Sequence, residues 1–419
     1  MAERPEEAFP VAPLDATPAA PAAITMTSST SLIHHPYQPP AGFAAPQPAV
    51  HKASTVIFAN AAAVRARSWK EKNGYTYGLH GTPTTFTLEQ RIATLEGGTH
   101  TLLVPSGLAA ITLVDMALLV AGDEVLIPEN AYGPGKELAR NELARWGITH
   151  RFYDAMNPQS LLDAIGPNTR LVWLEAAGSV TMEFPPLAAL VQAARSRGIT
   201  TAIDNTWGAG IAFNAFDLMP GAGADPVGVD VCVQALTKYP SGGGDVLMGS
   251  VTTRDAALHL RLTGTHMRMG WGVGANDAEA VLRALPSLPL RYEAHDRAGR
   301  ALAQWWAGRS EVSLVLHPAF TGSPGHEHWR EQCCAAAGLF SVVFDERYSA
   351  AQVDAFVDAL KLFKIGYSWA GPVSLVVPYD LSMIRTQPAW RGTLVRFSLG
   401  LEEVADLIED SRQALAALG

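Results

Sequence analysis

Residues 200–239 read TTAIDNTWGAGIAFNAFDLMPGAGADPVGVDVCVQALTKY and contain two short apolar runs that lead directly into polar side chains. The run TTAID ends at Asp204, and the run VDVCVQALT is followed by Lys238. Such runs are typical of strands that are buried on both faces of a parallel sheet. Ligands of these sheets bind beyond the carboxyl ends of the strands, so Asp204 and Lys238 are candidates for a binding site.

The same pattern of short apolar runs extends to both sides of this segment, over residues 82–285. The segment FTLEQRIATLE (86–96) places Leu88, Ile92 and Leu95 on one helical face. Further strands are predicted at TLLVP (101–105), EVLIP (124–128), RLVWLE (170–175) and VLMGSV (246–251), with helices over 108–121 and 186–197. Strands that alternate with helices indicate a large α/β domain with a mainly parallel sheet.

The order of elements changes in residues 286–419. Helices are predicted over 290–309, near 350–360 and over 402–417, and strands at EVSLVL (311–316), GLFSVVF (338–344) and LVRFSL (394–399). This mixture favours a smaller C-terminal α+β domain. Trp305 and Trp306 are expected to pack against the large domain.

Residues 1–81 contain little that can form a core. The Ala- and Pro-rich residues 1–25 predict a disordered tail. Residues 36–50 stay rich in proline but include aromatic side chains, which favours an extended N-terminal arm.

The composition of the 419 residues excludes several classes of protein. With 31 Lys and Arg against 40 Asp and Glu, the formal net charge is −9, whereas a surface that follows nucleic-acid phosphates is usually basic. No run reaches the roughly 20 apolar residues of a membrane helix, so neither nucleic acid nor membrane is an expected partner. The three cysteines favour a reducing, cytoplasmic location. The histidine clusters at 34–35 and 326–328 lack further ligands at metal spacing, and no metal is expected.

Lys238 and Asp204 each allow two interpretations. A lysine at the mouth of a buried sheet is desolvated, which lowers its pKa and supplies a neutral amine as a nucleophile. A lysine can also simply extend from a strand end into solvent. An aspartate in this place can hold a proton on a pyridine nitrogen or cap a helix. A Schiff-base lysine combined with such an aspartate is typical of pyridoxal phosphate sites.

Two further strand ends fit a cofactor site. Ser106 and Gly107 follow TLLVP and open a helix, where backbone N–H groups can bind a phosphate or the serine can act as an ordinary cap. Tyr132 follows EVLIP, and its ring can stack on a flat ligand or pack within the loop.

These strand-end residues, in their order along the chain, match the pattern of a known family. Over about residues 53–410 the chain resembles the pyridoxal-phosphate-dependent enzymes of cysteine and methionine metabolism. The segments that carry the resemblance are YGLHGTPTTFTLEQRIATLEGG (77–98), ENAYGP (129–134), EAAGSVTME (175–183), AIDNTWGAG (202–210), QALTKY (234–239), YSWAGPVSL (367–375) and GTLVRFSLGLEEVADLI (392–408). The resemblance implies the fold type I, transferase-like α/β architecture, with a mainly parallel seven-stranded sheet and a smaller α+β domain. It also implies a homotetramer, a dimer of dimers with shared active sites.

The resemblance assigns the cofactor, pyridoxal 5′-phosphate, to particular residues. Lys238 would hold the cofactor covalently, Asp204 would pair with its pyridine nitrogen and Tyr132 would stack on its ring; these three are the expected catalytic residues. The phosphate would be bound by Gly107, Leu108, Thr237 and, from the neighbouring subunit, Tyr77.

The resemblance also implies a substrate and a reaction. Arg396 would bind the α-carboxylate of an amino acid as a two-pronged fork, and the pocket would be lined by Ser179, Tyr132, Ser368 and Trp369. The segments GSVTME and YSW resemble the β-lyase branch, which implies α,β-elimination of L-cystathionine to homocysteine, pyruvate and ammonia, with S-substituted cysteines as minor substrates. The alternatives are a γ-lyase or γ-replacement enzyme of the same family, and a non-catalytic binding protein on this fold.

Three positions depart from the family pattern. Leu79 stands where an arginine commonly binds the cofactor phosphate, with His80 next to it as a partial substitute. Ala235 replaces a serine that often binds the phosphate, and Val373 replaces a common glutamate. The first two departures predict a weaker hold on the phosphate.

Overall fold

A seven-stranded sheet and a five-stranded sheet form the framework of the chain. The computed structural model describes residues 28–34, 41–43, 45–70, 72, 74–221, 226–381 and 390–419. The tail expected over residues 1–25 lies outside the described residues, as do residues 36–40 and 44 of the expected arm.

The larger sheet is mainly parallel, as the sequence predicts. Its strands are β1 (His100–Val104), β2 (Glu124–Pro128), β3 (Thr149–Tyr153), β4 (Thr169–Glu175), β5 (Thr200–Asp204), β6 (Val231–Ala235) and β7 (Gly249–Thr253). They lie in the order β1-β7-β6-β5-β4-β2-β3. Only β7 runs antiparallel to its neighbours, β1 and β6. The sequence analysis did not predict β3, because it is an edge strand whose Thr149 and Arg151 side chains are exposed.

Helices cover both faces of this sheet. They are α3 (Pro83–Glu96), α4 (Gly107–Leu118), α5 (Gly133–Leu138), α6 (Pro158–Ala164), α7 (Leu187–Arg195), α8 (Ala256–Met269) and α9 (Ala275–Ala284). In β2, Leu126 packs into one hydrophobic cluster while Val125 and Ile127 pack into another. Successive side chains of a strand point to opposite faces, so a strand that is buried on both faces needs an unbroken apolar run.

The strand at 246–251 begins later than predicted, at Gly249. The backbone N–H and C=O of Met248 both bond to the Thr237 hydroxyl, at 3.1 and 3.2 Å. This pair of bonds ties the loop after β6 to the loop before β7.

The smaller sheet belongs to the C-terminal part of the chain. Its strands are β8 (Val312–Leu316), β9 (Leu339–Phe344), β10 (Lys364–Ile365), β11 (Leu375–Tyr379) and β12 (Leu394–Ser398), in the order β10-β11-β12-β9-β8. All of its pairs are antiparallel except β10 with β11. The long helix α10 (Leu288–Ala307), together with α11 (His326–Gln332), α12 (Ala350–Ala359) and α13 (Val404–Ala414), accompanies this sheet.

The packing of Trp306 corrects one expectation. Its ring is fully buried and lies 5.7 Å from Phe344, 5.7 Å from Phe356 and 5.6 Å from Phe397. These partners belong to the small-domain core, so the tryptophan stabilises that domain instead of its contact with the large one.

The N-terminal residues that the structure describes contribute to the large domain. Leu32 of α1 (Ser28–Ile33) is buried in the same hydrophobic cluster as α3 and α7. A second short helix, α2 (Ala61–Ala66), lies along the chain between Thr55 and Tyr77, which form an isolated bridge. The expected domain boundaries at 81/82 and 285/286 stay predictions. Across the described ranges, each helix is too short or too polar to cross a membrane.

Candidate active site

The carboxyl ends of β4, β5 and β6 bring together the residues that the sequence analysis selected. Glu175 and Asp204 are direct register partners at the ends of β4 and β5, and Asp204 pairs with Val233 of β6. Lys238 follows β6 by three residues. Parallel strands end at the same edge of their sheet, so these three side chains face one site.

Lys238 lies beside residues of the small domain. Its Nζ donates a hydrogen bond to Ser368 Oγ at 2.6 Å and lies 5.4 Å from the centre of the Trp369 ring. Burial, with a further contribution from the charge of Arg396, lowers the pKa of Lys238 to about 8, while Asp204 opposes the shift. About a tenth of this amine is therefore neutral at pH 7, far more than for an ordinary lysine, and a neutral amine can act as a nucleophile or a base.

The segment that carries Ser368 has an unusual backbone. Ser368 and Ala370, on either side of Trp369, have φ angles of 87° and 68°. Residues other than glycine rarely adopt this left-handed region, at a cost of about 1–3 kcal/mol each. The surrounding packing holds the segment there, and as a result the Ser368 hydroxyl meets Lys238.

Asp204 is partly buried at the end of β5 and does not start a helix. Its Oδ1 accepts a hydrogen bond from the Thr206 amide at 3.0 Å, which closes a turn. Desolvation raises the pKa of its carboxyl, while the hydrogen bonds from Thr206 and the charge of Lys238 oppose the shift. Such a carboxyl gains most from a cationic partner, and a protonated pyridine nitrogen is one.

Glu175 is a functional candidate that the sequence analysis missed. Its Oε2 accepts a hydrogen bond from the Tyr132 amide at 2.7 Å. Desolvation, and then the charge of Asp204, raises the pKa of Glu175 well above its ordinary value, while Lys136 opposes the shift. The signal was present, because Glu175 ends RLVWLE as Asp204 ends TTAID. By accepting the hydrogen bond from the Tyr132 amide, Glu175 fixes the loop that presents Tyr132.

Tyr132 begins α5, and its side chain is 44% exposed. Burial, and then the charges of Asp204 and Glu175, raise the pKa of its phenol. Ser179 is tied to the same loop, since its amide donates to the carbonyl of Asn130 at 2.8 Å. The ring is thus available to a ligand next to the two carboxyls, and its stacking role stays a prediction.

The N-terminus of α4 forms a close-packed cradle. Ser106 caps the helix by accepting from the Ala109 amide at 3.1 Å, while the first helical amides, those of Gly107 and Leu108, have no partner within a helix. A Cβ on Gly107 would lie 2.6 Å from the Cβ of Ala235, so only glycine fits here. Free amides and a helix dipole at this point suit a phosphate.

Two side chains that were expected to contact the phosphate already form hydrogen bonds with other protein groups. The Thr237 hydroxyl already donates to the Met248 carbonyl, and its single proton must rotate to serve a phosphate. His80 shares a hydrogen bond of 2.6 Å with Thr76 Oγ1, and burial, followed by the charges of His266 and Arg67, lowers its pKa. His80 is neutral and bound within its own segment, so it does not replace the missing arginine charge. The neighbouring Tyr77 is 46% exposed.

Arg396 is a buried cation. It lies on β12, its side chain has little contact with solvent, and its Nε has no hydrogen-bond partner. Its Nη2 makes a long bond of 3.4 Å to the Ser368 carbonyl, and in the part of the chain that the structure describes no carboxylate lies within ion-pair distance of it. Desolvation lowers its pKa. A buried, unpaired guanidinium is costly, and an incoming carboxylate relieves that cost.

A further buried carboxyl lies behind Asp204. Glu96, at the end of α3, accepts hydrogen bonds from Asn205 Nδ2 at 2.9 Å and from Cys232 Sγ at 3.4 Å. Burial raises the pKa of Glu96 to about 7. No single segment of the sequence indicates this cluster, because its members are distant along the chain.

The chain resembles proteins of one family over most of its length. A family model described as "Cys/Met metabolism PLP-dependent enzyme" matches residues 29–416. A cystathionine β-lyase of Bordetella avium is 38% identical over 386 residues, which cover 91% of this chain and 94% of that protein. The cystathionine β-lyase of Escherichia coli strain K12 is 35% identical over 369 residues, which cover 86% and 91%.

The same family appears among solved structures. A cystathionine γ-synthase from Xanthomonas oryzae pv. oryzae, in complex with aminoacrylate and cysteine, superimposes with a TM-score of 0.84 at 28% identity and covers 94% of this chain and 99% of that one. The lysine, the aspartate and the phosphate cradle described above provide the donor set that pyridoxal phosphate requires. The chain therefore belongs to the pyridoxal-phosphate-dependent enzymes of Cys/Met metabolism.

Proposed function

We propose that this enzyme is a carbon–sulfur lyase that catalyses α,β-elimination of L-cystathionine. With one water consumed, the products are homocysteine, pyruvate and ammonia. The observation that carries the proposal is the arrangement of three groups around one site: the amine of Lys238 with its lowered pKa, the desolvated carboxyl of Asp204 and the unpaired guanidinium of Arg396.

Lys238 is the proton carrier of the reaction. Pyridoxal phosphate, when bound, supplies a carbonyl that condenses with amines and a ring that accepts the electrons left at the substrate Cα. The lysine amine, with a pKa of about 8, removes the Cα proton and then returns a proton to the departing sulfur. Ser368 Oγ, 2.6 Å from Nζ, directs the amine between these two positions.

The other residues hold and orient the reactants. Asp204 keeps a proton on the pyridine nitrogen, where its desolvated carboxyl finds the cationic partner that it lacks. The first amides of α4 and the hydroxyl of Thr237 bind the phosphate, and Tyr132 stacks on the ring. Arg396 binds the α-carboxylate, with Ser179, Ser368 and Trp369 along the pocket.

Cleavage at Cβ is favoured over cleavage at Cγ. The named relatives of 35–38% identity are cystathionine β-lyases, whereas the γ-synthase structure is 28% identical. Ser179 and Trp369 also agree with the β-lyase branch. The intact pair of Lys238 and Asp204 argues against a non-catalytic binding protein.

Product analysis with L-cystathionine tests the proposal. Enzyme reconstituted with pyridoxal phosphate is expected to release pyruvate and homocysteine in equal amounts. Lys238→Ala is expected to lose elimination almost completely, whereas the exposed Lys364→Ala is a matched control that keeps it. Cysteine with 2-oxobutyrate would instead assign the chain to the γ branch, and full activity of Lys238→Ala would refute the assigned base.

Assembly as a cytoplasmic homotetramer with shared sites is part of the same proposal. Tyr77 is 46% exposed and Ile57, in the same N-terminal region, is 91% exposed, which leaves an apolar surface for a neighbour to cover. Mixing inactive Tyr77→Ala and Lys238→Ala subunits tests sharing. Hybrid dimers with one fully intact site regain activity if Tyr77 serves the neighbouring subunit, and stay inactive if it serves its own.

A further inference from the structure

The guanidinium of Arg396 rests on the ring of Tyr379. Its Cζ lies 5.5 Å from the ring centre, within the range of a cation–π contact. Its other contacts are weak, since the bond of Nη2 to the Ser368 carbonyl measures 3.4 Å and Nε is unpartnered. The ring is therefore the main support of this buried cation among the described residues.

The pairing of β11 with β12 explains how the ring reaches Arg396. In this antiparallel pair Val377 lies opposite Arg396, and Tyr379 lies opposite Leu394. Tyr379 is thus the diagonal neighbour of Arg396 on the same face of the sheet, a separation that aromatic and long side chains can span. The hydroxyl is not needed for this contact, because the attraction comes from the face of the ring.

We propose that Tyr379 is a positioning residue that holds the Arg396 fork in place and thereby sets the affinity of the enzyme for the α-carboxylate of its substrate. The inference rests on the proposed role of Arg396 and adds a residue that neither the sequence motifs nor the direct contacts of Lys238 include. Loss of a desolvated cation–π contact corresponds to about three- to thirtyfold in affinity. Ring removal is expected to act on binding more than on proton transfer, since among the described residues Tyr379 contacts Arg396, whereas Lys238 contacts Ser368 and Trp369.

Kinetics of the holoenzyme with L-cystathionine separate the ring from the hydroxyl. Tyr379→Leu is expected to raise KM about three- to thirtyfold, with a smaller change in kcat, and Tyr379→Phe to restore KM. The matched control is Tyr348→Leu, because the Cζ of Arg347 lies 4.9 Å from the centre of the Tyr348 ring, which makes a similar pair away from the site. An unchanged KM for Tyr379→Leu, or a KM for Tyr379→Phe as high as that for Tyr379→Leu, would overturn the proposal.

A binding measurement isolates the carboxylate. Glycine carries an amine and a carboxylate and ethylamine only the amine, and each is titrated into the holoenzyme while the absorbance of the bound cofactor is followed. Tyr379→Leu is expected to weaken glycine binding and leave ethylamine unchanged; Tyr379→Met serves if the leucine variant does not fold. Equal weakening of both ligands would mean general damage to the pocket and would reject a specific role.

Arg396→Leu distinguishes this inference from the proposed function. If Arg396→Leu weakens glycine binding and Tyr379→Leu does not, the carboxylate site stands and the positioning role fails. If neither variant affects glycine, Arg396 is not the carboxylate site, and both assignments fail.

Discussion

Replacing Gly107 with alanine is expected to weaken the binding of pyridoxal phosphate while the fold is retained. The added Cβ would lie 2.6 Å from the Cβ of Ala235 and 3.2 Å from its Cα, whereas carbon atoms pack at about 3.5–4.0 Å. The start of α4 must therefore move away from the end of β6 by about 1 Å. The protein without cofactor relaxes by this movement, but a phosphate needs the amides of Gly107 and Leu108 in their original place.

The size of the effect follows from the overlap. Overpacking of this kind costs about 1–3 kcal/mol, which corresponds to about a 5- to 150-fold rise in the dissociation constant if binding reverses the relaxation. Ala235→Gly in the same chain removes the clashing methyl and leaves a nearest contact of 3.2 Å to Cα. The double variant should therefore recover most of the lost affinity.

Titration of the cofactor-free protein with pyridoxal phosphate, followed by absorbance, measures the change. The matched control is Gly135→Ala in α5, where the added Cβ meets only Ile111 Cδ1 at an ordinary 3.6 Å, and its affinity should equal that of the wild type. Wild-type affinity in Gly107→Ala, or failure of Ala235→Gly to restore binding, would refute the close-packed cradle.

Three further predictions concern charge. Burial raises the pKa of Glu96 in the folded protein from its ordinary 4.5 to about 7. The folded state therefore binds more protons between these pH values, and stability falls as pH rises from 4.5 to 7. Glu96→Gln should flatten this loss, which is of the order of 3 kcal/mol, in urea unfolding at several pH values, and an unchanged slope would contradict the prediction. Leu79→Arg restores a cationic phosphate contact and should tighten cofactor binding about tenfold in the same titration, with Leu79→Met, which adds no charge, unchanged. Arg396→Lys loses the two-pronged fork and should raise KM for L-cystathionine about 10- to 100-fold, and a KM near wild type would exclude bidentate binding.

The sequence predicted the large sheet well because its strands are buried on both faces. In β2 and β5 the predicted runs and the strands have the same bounds, and β5 ends at the polar Asp204. Three of the described strands were not predicted. The strand β3 lies at an edge with exposed side chains, β10 has only two residues, and the short apolar run of β11 is interrupted by Pro378. Periodicity placed six helices, α3, α4, α7, α10, α12 and α13, with ends that differ by a few residues, whereas the other described helices were not predicted.

The sequence predicted only those parts of the site that can be read from a single segment of the chain. Asp204 and Lys238 follow apolar runs, so their place at the sheet edge could be foreseen. Glu96 meets Asn205 and Cys232 across more than a hundred residues of chain, and Tyr379 meets Arg396 through a strand pairing that no single segment encodes. The bond of Thr237 to Met248 was likewise invisible, since it joins two loops.

The two cations of the site are coupled, and substrate binding changes that coupling. The charge of Arg396 is the second cause, after burial, of the lowered pKa of Lys238. A substrate carboxylate that pairs with Arg396 cancels this contribution, so we expect the pKa of Lys238 to rise when the pocket fills. The neutral lysine amine is then a stronger base, but a smaller fraction of it is neutral near pH 7, so the coupling balances base strength against the supply of neutral amine. Because the guanidinium has no carboxylate partner among the described residues, this coupling stays available to the substrate, whereas a permanent ion pair would have removed it.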